Sequence, residues 1–341
     1  MLRIAVDAMG GDHAPGEIVK GAVEAAKKGL YRIVLVGRQD LLERELARYS
    51  PVDSIEIAHA PEMVTMDEQP ALALRRKRGT SIAVATELVK NRKADALVSA
   101  GSTGAQMAAA LLILGRVKGI YRPAIMTLFP TLKKPTVLLD VGANTDTEPV
   151  NLYQFALMGS IYARQILKRV NPSVGLLNIG TEATKGNSLT KETFQVLSGA
   201  DINFYGNVEA RDLPQGVVDV AVCDGFVGNM VIKLAEGLAG TIFQMVKEEI
   251  RQSWRAKMGA ALLVPTLKGL VRKMDYAEYG GAPLLGVKGV SIICHGSSKA
   301  RAIENAIQLA AQCAENHFVE QIEKNIQDMD KGDISHEGRE D

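Results

Sequence analysis

The chain has 341 residues, of which 47% are hydrophobic and 23% charged, and its formal net charge is +1. This composition is typical of a soluble globular protein, and the near-neutral charge argues against the positive field of a nucleic-acid-binding protein. Three cysteines stand without metal-ligand spacing, Cys223, Cys294 and Cys313. They favour a reducing compartment over a disulfide framework. With no signal-peptide pattern and no apolar run of ~18 residues, we expect a cytoplasmic protein without a membrane span.

Apolar runs alternate with helical periodicities from the first residues onward. Strands are predicted at 2–7, 31–37 and 54–58, with helices at 16–29 and 40–49 between them. This βαβαβ order is the start of a doubly wound sheet. Further predicted helices cover 81–91, 103–114, 151–170, 190–197, 231–253 and 298–326, and a glycine-rich loop covers 279–286. We therefore expect an α/β fold with a mostly parallel sheet in a single catalytic domain, 1–327, followed by a disordered tail, 328–341.

Six predicted strands share one design, a continuous apolar run that ends abruptly in small and polar residues. Such runs are typical of strands buried on both faces of a parallel sheet. The polar ends lie at 8–13, 100–104, 141–144, 179–186, 224–229 and 295–298. Because ligands of open α/β sheets bind at the carboxyl ends of strands, we expect one anion-handling crevice there. The consecutive glycine motifs of nucleotide-binding loops do not occur in the sequence.

The segment 219–229 is central to this prediction. A short predicted strand ends there in a turn that contains Asp224, Gly225, Gly228 and Asn229, and a long helical pattern follows. Glycines let backbone approach a ligand closely, and amides at a helix start favour an anion. The ordinary alternative is a turn in which Asn229 caps the helix. The same two interpretations, anion cradle or capped glycine turn, apply to Gly101, Ser102, Thr103 and Gly104.

These motifs resemble those of the bacterial phosphate acyltransferases, the PlsX family. The resemblance extends from residue 1 to about 325 and rests on 3–15, 99–104, 139–144, 178–182, 185–186, 223–229 and 295–298. It implies an enzyme that makes acyl-phosphate from acyl-[acyl-carrier-protein] and inorganic phosphate, early in phospholipid synthesis. It also implies a homodimer, and a fold similar to phosphotransacetylases and isopropylmalate dehydrogenases.

Phosphate is already anionic at neutral pH, so attack on a thioester requires anion binding, alignment and oxyanion stabilisation more than a strong base. We predict four catalytic residues, Lys185, Asn229, Asp224 and His13. Lysine binds phosphate as a point charge, although Lys185 also fits a surface residue. His13 and His295 fit either proton donors to the leaving thiolate or histidines fixed at turns. The predicted phosphate- and substrate-binding residues are Gly101, Ser102, Thr103, Gly104, Asn144, Asn178, Gly180, Gly225, Gly228, His295 and Ser297.

Several alternatives remain open at the level of sequence. Cys223 or Cys294 could carry a covalent acyl group, although cysteine is more often a small buried hydrophobe. Asp7, Asp140 and Asp224 could hold a divalent metal, although we expect them to cap turns and expect no metal or other cofactor. A metal-dependent decarboxylating dehydrogenase and a non-catalytic membrane scaffold are the rival functions.

Two basic segments lie apart from the strand ends. Arg75, Arg76, Lys77 and Arg78 fit either a solvated helix end or a charge cluster for phosphate or an acidic carrier protein. The stretch 255–273 has five basic and no acidic residues, and Pro265 predicts a helical hairpin at about 254–275. Its apolar tip fits a dimer interface or, as we favour, peripheral contact with the anionic inner face of the cell membrane. The predicted membrane-contacting residues are Leu262, Leu263, Val264 and Leu267.

Overall fold

The structure, a computed structural model, describes residues 1–65, 68–260, 262, 263, 269 and 280–336, with side chains up to residue 327. One sheet contains the strands β1 Leu2–Asp7, β2 Tyr31–Gly37, β3 Ile55–His59, β4 Ala96–Ser99, β5 Ala124–Phe129, β6 Thr136–Leu139, β7 Val174–Asn178, β8 Phe204–Glu209, β9 Val220–Val222, β10 Ala282–Leu285 and β11 Val290–Ile293. Their order across the sheet is β3-β2-β1-β4-β11-β10-β5-β6-β9-β7-β8.

The connecting helices are α1 Gly16–Ala26, α2 Gln39–Leu46, α3 Pro70–Arg76, α4 Ser81–Lys90, α5 Thr103–Ala109, α6 Pro149–Gln165, α7 Ser188–Ser198, α8 Gly225–Gln252, α9 Ala300–Glu315 and α10 Phe318–His336. A π-helical turn, Ala110–Leu114, continues α5, and a 3-10 turn, Ala210–Gln215, follows β8. Buried side chains of α1, α6 and α9 pack in one core cluster, and those of α4 and α5 pack in another. Helices therefore cover both faces of the sheet, and the predicted doubly wound α/β fold is confirmed.

The sheet consists of two parallel groups that run in opposite directions. Strands β3, β2, β1, β4 and β11 are parallel, as are β6, β9, β7 and β8. Between the groups, β10 is antiparallel to both β11 and β5, and β5 is antiparallel to β6. The sheet is therefore mostly parallel, as predicted, but it reverses direction in the middle.

This reversal corrects the expectation that all six polar strand ends line one carboxyl edge. Because the two groups of strands run in opposite directions, the carboxyl ends of β1, β4 and β11 lie at one edge of the sheet. Those of β6, β9 and β7 lie at the other edge. Twist acts against this separation, because neighbouring strands rotate by ~20–25°. Over the seven steps from β1 to β7, a twist of this usual size would sum to nearly half a turn and would turn the two sets of ends towards a common direction.

Three segments differ from the sequence predictions. Residues 282–285, predicted as a glycine-rich loop, form β10 because Leu284 and Leu285 are buried against β5. The predicted closing helix is two helices, since His317 has a left-handed backbone conformation (φ 49°) between α9 and α10. Helix α10 continues to His336, inside the segment 328–341 that was predicted as a tail.

Helix α8 is the longest described helix, and most of it projects from the body of the protein. Only Gly225 and Gly228, in its first turn, are buried. By length and composition alone α8 could cross a membrane, with a mean hydropathy of 1.3. The sequence analysis did not predict a membrane span here, because Lys233 and Glu236 interrupt the apolar sequence of α8. Residues 254–260, at the start of the predicted hairpin, are also helical.

Candidate active site

Asp7, at the end of β1, organises the first cluster of strand ends. Its carboxylate is buried, with Oδ2 accepting a hydrogen bond from Ser99 Oγ at 2.8 Å and Oδ1 accepting one from the Met9 amide at 3.2 Å. Ser99 Oγ in turn accepts from the Gly101 amide at 3.1 Å. Burial raises the pKa of Asp7, and hydrogen bonds from Ser81 and Ser99 partly offset this. The ends of β1 and β4 are therefore fixed to each other.

A cleft opens beside Asp7 and encloses about 260 Å³ including its mouth. Its lining combines polar residues, Ser81, Ser99 and Ser102, with apolar ones, Met9, Met63, Val64 and Ile82. Ser102 Oγ caps α5 by accepting from the Ala105 amide at 3.4 Å. The capped-turn interpretation therefore holds for the Ser102 hydroxyl, while Thr103 and Gly104 remain exposed at the start of the helix.

The loop after β11 joins the same cluster. The Asp12 amide donates to the Gly296 carbonyl at 2.8 Å, which brings the loop carrying His13 next to the loop carrying His295. The Nδ1 atom of His295 lies 2.8 Å from Ser297 Oγ and accepts from the Ser297 amide at 3.2 Å. The neutral imidazole therefore carries its proton on Nε2. Both histidines are exposed.

Asp140, directly after β6, organises the second cluster. The side chain is completely buried, and its Oδ1 accepts from the amides of Ile125 (3.0 Å), Gly142 (3.2 Å) and Ala143 (3.0 Å). Its Oδ2 accepts from the amide and the side-chain Nδ2 of Asn144, at 2.7 and 2.9 Å. Burial raises the pKa of Asp140, and these bonds partly offset it. One carboxylate thus fixes the turn 141–144 and ties it to β5.

Asn144 supports this turn and does not face a substrate. Its Nδ2 group donates to Asp140 and, at 2.7 Å, to the Pro123 carbonyl, so both side-chain N–H bonds are in use. Its backbone carbonyl accepts from the Gly225 amide at 2.7 Å. Its amide N–H groups are therefore satisfied inside the protein, and substrate binding by Asn144 stays a prediction.

The start of α8 packs directly on Asp140. Asp224 caps the helix, with Oδ1 accepting from the Val227 amide at 2.8 Å. The Gly228 amide donates to the Asp224 carbonyl at 3.0 Å. The amides of Gly225 and Gly228 thus both have protein acceptors, and phosphate binding at these glycines stays a prediction. Both glycines permit close packing, since a Cβ at Gly228 would lie 1.9 Å from the Asp140 carbonyl oxygen.

Asn229, the next residue of α8, is exposed above the 141–144 turn. A Cβ placed on Gly142 would lie 3.8 Å from both Cβ and Cγ of Asn229. Gly142 has a φ of +133°, a conformation that favours glycine. Among the described residues, Asn229 has no side-chain hydrogen-bond partner. Its amide is therefore available to a ligand, unlike that of Asn144.

Lys185 is presented by the loop that follows β7. Asn178 shapes this loop, with Oδ1 accepting from the Ile179 amide at 2.8 Å and Nδ2 donating to the Lys185 carbonyl at 3.2 Å. Gly180 lies under the lysine, because a Cβ there would be 2.9 Å from Lys185 Cγ. The Lys185 side chain is exposed and forms no ion pair within the described part of the chain. The loop thus offers an unneutralised positive charge.

Known proteins identify the group to which this chain belongs. The family described as "Fatty acid synthesis protein" matches residues 2–321. A phosphate acyltransferase from Moorella thermoacetica is 61% identical over 318 residues, covering 93% of this chain and 94% of the relative. The chain belongs to the phosphate acyltransferase family. A phosphate acyltransferase from Desulfitobacterium hafniense (strain Y51) is 57% identical over 327 residues, covering 96% and 98% of the two chains.

Solved structures confirm the fold expected for this phosphate acyltransferase family member. A phosphotransacetylase from Streptococcus pyogenes matches with a TM-score of 0.64 and 17% identity, covering 92% of this chain and 94% of that one. The EutD phosphotransacetylase from Staphylococcus aureus matches with a TM-score of 0.62 and 16% identity over the same shares. At such identities the similarity concerns the fold alone.

The thiols of this acyltransferase family member are poorly suited to covalent chemistry. Cys223 is buried with Sγ 3.6 Å from the Asp140 carbonyl oxygen, and burial raises its pKa well above the ordinary value. Burial likewise raises the pKa of Cys294 to about 12. A thiol must ionise to act as a nucleophile. The structure therefore does not favour an acyl-cysteine intermediate.

The three aspartates considered as metal ligands do not form one site. Asp7 belongs to the first cluster, whereas Asp140 and Asp224 belong to the second, and all three accept hydrogen bonds from protein donors. Within the residues that the structure describes, no group of three or more His, Cys, Asp or Glu side chains could hold a metal ion.

The sequence analysis did not identify Asn207, a residue of β8 that supports the loop carrying Lys185. Asn207 is 3% exposed, and its Nδ2 donates to the Glu182 carbonyl at 2.9 Å, while its Oδ1 has no protein partner among the described atoms. The Lys185 amide donates to the same carbonyl at 3.1 Å. The available signal was the position of Asn207, a polar residue within the strand-like segment 204–209.

Proposed function

We propose that the chain transfers an acyl group from an acyl-[acyl-carrier-protein] thioester to inorganic phosphate. A phosphate oxygen attacks the thioester carbon, the C–S bond breaks, and the products are acyl-phosphate and the free carrier thiol. Family membership supports the reaction class. The structural observation that carries the proposal is the exposed, unneutralised Lys185 ammonium on a loop ordered at the end of β7.

Two exposed polar groups that follow strands of the second parallel group, Lys185 after β7 and Asn229 after β9, suit the two charges of this reaction. Lys185 supplies a positive point charge for the phosphate, and Asn229 supplies amide N–H bonds for the oxyanion that develops on the thioester carbonyl. Asp140, Asn144 and Asp224 act as positioning residues, because they hold the turn and the helix start on which Asn229 stands. No strong base is required, since phosphate is already anionic.

The leaving thiolate requires a proton or a hydrogen-bond donor. His295 and His13 are exposed on adjoining loops, and either imidazole could supply this donor. Both belong to the first cluster, whose cleft is partly lined by apolar residues. We assign the thioester arm to this cluster and the phosphate to the strand ends of the second parallel group, so that the two substrates approach each other from opposite halves of the sheet.

The test is incubation with an acyl-carrier thioester and phosphate, with acyl-phosphate as the measured product. Lys185→Ala and Asn229→Ala should each lower turnover by about 100-fold or more, the usual effect of losing a donor to a developing oxyanion. Lys191→Ala, which removes an exposed lysine from α7, is the matched control and should leave turnover unchanged. Near-normal turnover of both active-site variants would contradict the assignment. No acyl-phosphate from the unmodified protein would contradict the function.

The exposed stripe of α8 supports a homodimer. Met230, Leu234, Leu238, Ile242 and Met245 lie on one side of the helix and are each 53–64% exposed. Contiguous apolar surface of this kind marks an interaction site, and a second copy of the same stripe would cover it around a twofold axis. Light scattering should detect a dimer for the unmodified protein and a monomer for Leu238→Glu. An unchanged mass for this variant would argue against the stripe as the interface.

Beyond α8, exposed leucines support peripheral contact with the inner face of the cell membrane. Leu262 is 84% exposed and Leu263 is 54% exposed. Basic residues precede them at Arg255 and Lys257, where they would meet anionic lipid. Val264, Leu267 and most of the predicted hairpin lie outside the described residues. Contact there would release a lipophilic acyl-phosphate to the bilayer.

A further inference from the structure

Helix α3 presents a compact outer face that the protein body leaves uncovered. Leu72 is 45% exposed, and Arg75 and Arg76 are exposed beside it. Residues three and four positions apart share one side of a helix, so the two guanidinium groups flank the leucine. Ala73 and Leu74, on the other side, are buried. The outer face therefore combines one apolar side chain with two cations.

Among the residues that the structure describes, three of the four cations of this segment lack an ion-pair partner. Lys77 forms an ion pair with Glu68 at 2.7 Å, and the Lys77 hydrogen bond is the main reason that the pKa of Glu68 falls to about 2. Within the described chain, Arg75, Arg76 and Arg78 have no carboxylate partner. Unpaired arginines on one face raise the local concentration of acidic partners. Of the acids described near this segment, Glu68 is paired with Lys77, and Glu62 lies beside Gly79 without an ion pair in the described chain.

The position of α3 connects this face with the cleft of the first cluster. Its first residue, Pro70, packs against the start of α5, since a Cβ on Gly104 would lie 3.1 Å from Pro70 Cγ. The chain after α3 leads within five residues to Ser81, which lines the cleft together with Ser102. Helix α3 thus lies beside the site to which we assign the thioester arm, with its first residue on α5 and the chain after it leading into the cleft lining.

We propose that the face formed by Leu72, Arg75 and Arg76 is the docking surface for the acidic carrier protein that delivers the acyl group. This proposal rests on the proposed function. A carrier with an acidic helix and an exposed apolar residue complements two arginines around a leucine, and such charge complementarity speeds association and fixes register. A carrier docked on this face can extend its thioester arm into the neighbouring cleft. A bilayer is a poorer fit, because one leucine offers little apolar area for insertion.

The decisive experiment compares two charge reversals of equal size. Arg75→Glu/Arg76→Glu changes the proposed surface, and Lys133→Glu/Lys134→Glu changes two exposed lysines on the β5–β6 connection. KM and kcat are measured with acyl-carrier thioester, with an acyl-pantetheine thioester that lacks the protein, and with phosphate. The arginine variant should raise KM for the carrier substrate by ~10-fold or more, with kcat, acyl-pantetheine turnover and KM for phosphate unchanged. The lysine variant should behave like the unmodified protein.

The outcomes separate docking from chemistry. If the unmodified protein forms no acyl-phosphate from either thioester, the proposed function fails, and titration of the carrier protein against both variants still tests docking. Equal KM values for the carrier substrate in both variants, or equal carrier affinities, would overturn the docking proposal. Loss of turnover with both thioesters would overturn it too, since α3 would then support the site. Loss of binding to anionic vesicles with an unchanged carrier KM would assign the surface to a membrane instead.

Discussion

Polar side chains at the strand ends differ in whether their hydrogen-bonding groups are already in use. Lys185 and Asn229 are exposed and lack side-chain partners among the described residues, whereas Asp140 and Asn144 are buried and bonded to several backbone groups. A buried polar group that loses its partner costs ~1–3 kcal/mol. The second pair is therefore held in place for structural reasons, and the first pair remains free to meet substrate.

Replacement of the buried thiols should leave turnover nearly unchanged. Because burial raises the pKa of Cys223 well above its ordinary value and that of Cys294 to about 12, neither thiol ionises near neutral pH. Cys223→Ala and Cys294→Ala should each retain turnover within a few-fold, and mass spectrometry during turnover should show no acylated protein. A stoichiometric acyl-cysteine on either residue would contradict direct attack by phosphate.

The carboxylate of Asp219 allows a prediction of how the free energy of unfolding depends on pH. It pairs with Arg169 and accepts from the amide and hydroxyl of Ser173 at 2.9 and 3.1 Å. Burial alone would raise the pKa of Asp219, but these donors together outweigh it, and the pKa lies below its ordinary value of 3.8. A carboxyl group whose pKa falls on folding stabilises the protein above its unfolded pKa, and this stabilisation is lost as the pH drops through the folded value.

Asp219→Asn should therefore reduce the free energy of unfolding at pH 7 by about 1–3 kcal/mol, because a charged acceptor is replaced by a neutral one. The difference from the unmodified protein should shrink as the pH falls below 3.8. Urea unfolding at pH 7 and at pH 3 measures both quantities. Asp201→Asn, at an exposed position, is the control and should have little effect. A difference that stays constant across this range would count against the Asp219 assignment.

Residue types were easier to predict than their partners. The sequence correctly indicated a long helix after β9, but the helix begins at Gly225, six residues before the predicted start at 231, and its cap is Asp224 and not Asn229. The sequence could not show that Asp140 and Asn144 occupy the space around the glycines at the helix start, since that contact joins residues about 80 positions apart. Glycine therefore predicted a close approach, but it did not reveal whether a ligand or the protein itself makes that approach.

Among the helices, α8 contains two glycine environments that predict opposite effects of alanine. A Cβ on Gly228 would lie 1.9 Å from the Asp140 carbonyl oxygen, whereas Gly240 has open space around it. Gly228→Ala should force the helix start away from the turn and cost about 1–3 kcal/mol of stability, as overpacking usually does. It should also reduce turnover, because Asn229 moves with the helix.

The matched control is Gly240→Ala in the same helix. It should stabilise the protein by about 0.5–1 kcal/mol, because alanine is a better helix former than glycine. Thermal unfolding of the two variants, together with turnover, provides the comparison. Equal stability of both variants would show that the first turn of α8 adapts to the added methyl group.

Elements with a clear apolar pattern were predicted well, whereas strands β5 and β10 were missed. Helix α1 and strands β1 and β2 lie close to their predicted bounds, because their apolar periodicity reflects burial in the core. Strand β10 has four residues between glycines, so its sequence resembles a loop. It becomes a strand only because β11 and β5 lie on either side of it.

For the subunit as a whole, the direction of the sheet was the main feature that the sequence could not predict. Apolar runs indicate that a strand is buried, but they carry little information on the sense of its neighbour. The antiparallel pairing of β5 with β6 decides that Asp7 and Asp140 organise separate clusters. Family resemblance predicted the fold correctly, because it draws on the whole chain and not on single elements.

The last prediction concerns how the subunit meets its surroundings beyond α8. Leu262 and Leu263 are exposed, and full burial of one leucine in an apolar environment is worth ~1.5–3 kcal/mol. Leu262→Gln/Leu263→Gln should therefore lower co-sedimentation with anionic liposomes by at least 10-fold, while turnover with a soluble thioester stays unchanged. Leu132→Gln, at a leucine that is 80% exposed on the β5–β6 connection, is the control and should bind liposomes normally. Equal liposome binding by all three proteins, or none by the unmodified protein, would exclude membrane contact through this tip and leave the proposed chemistry untouched.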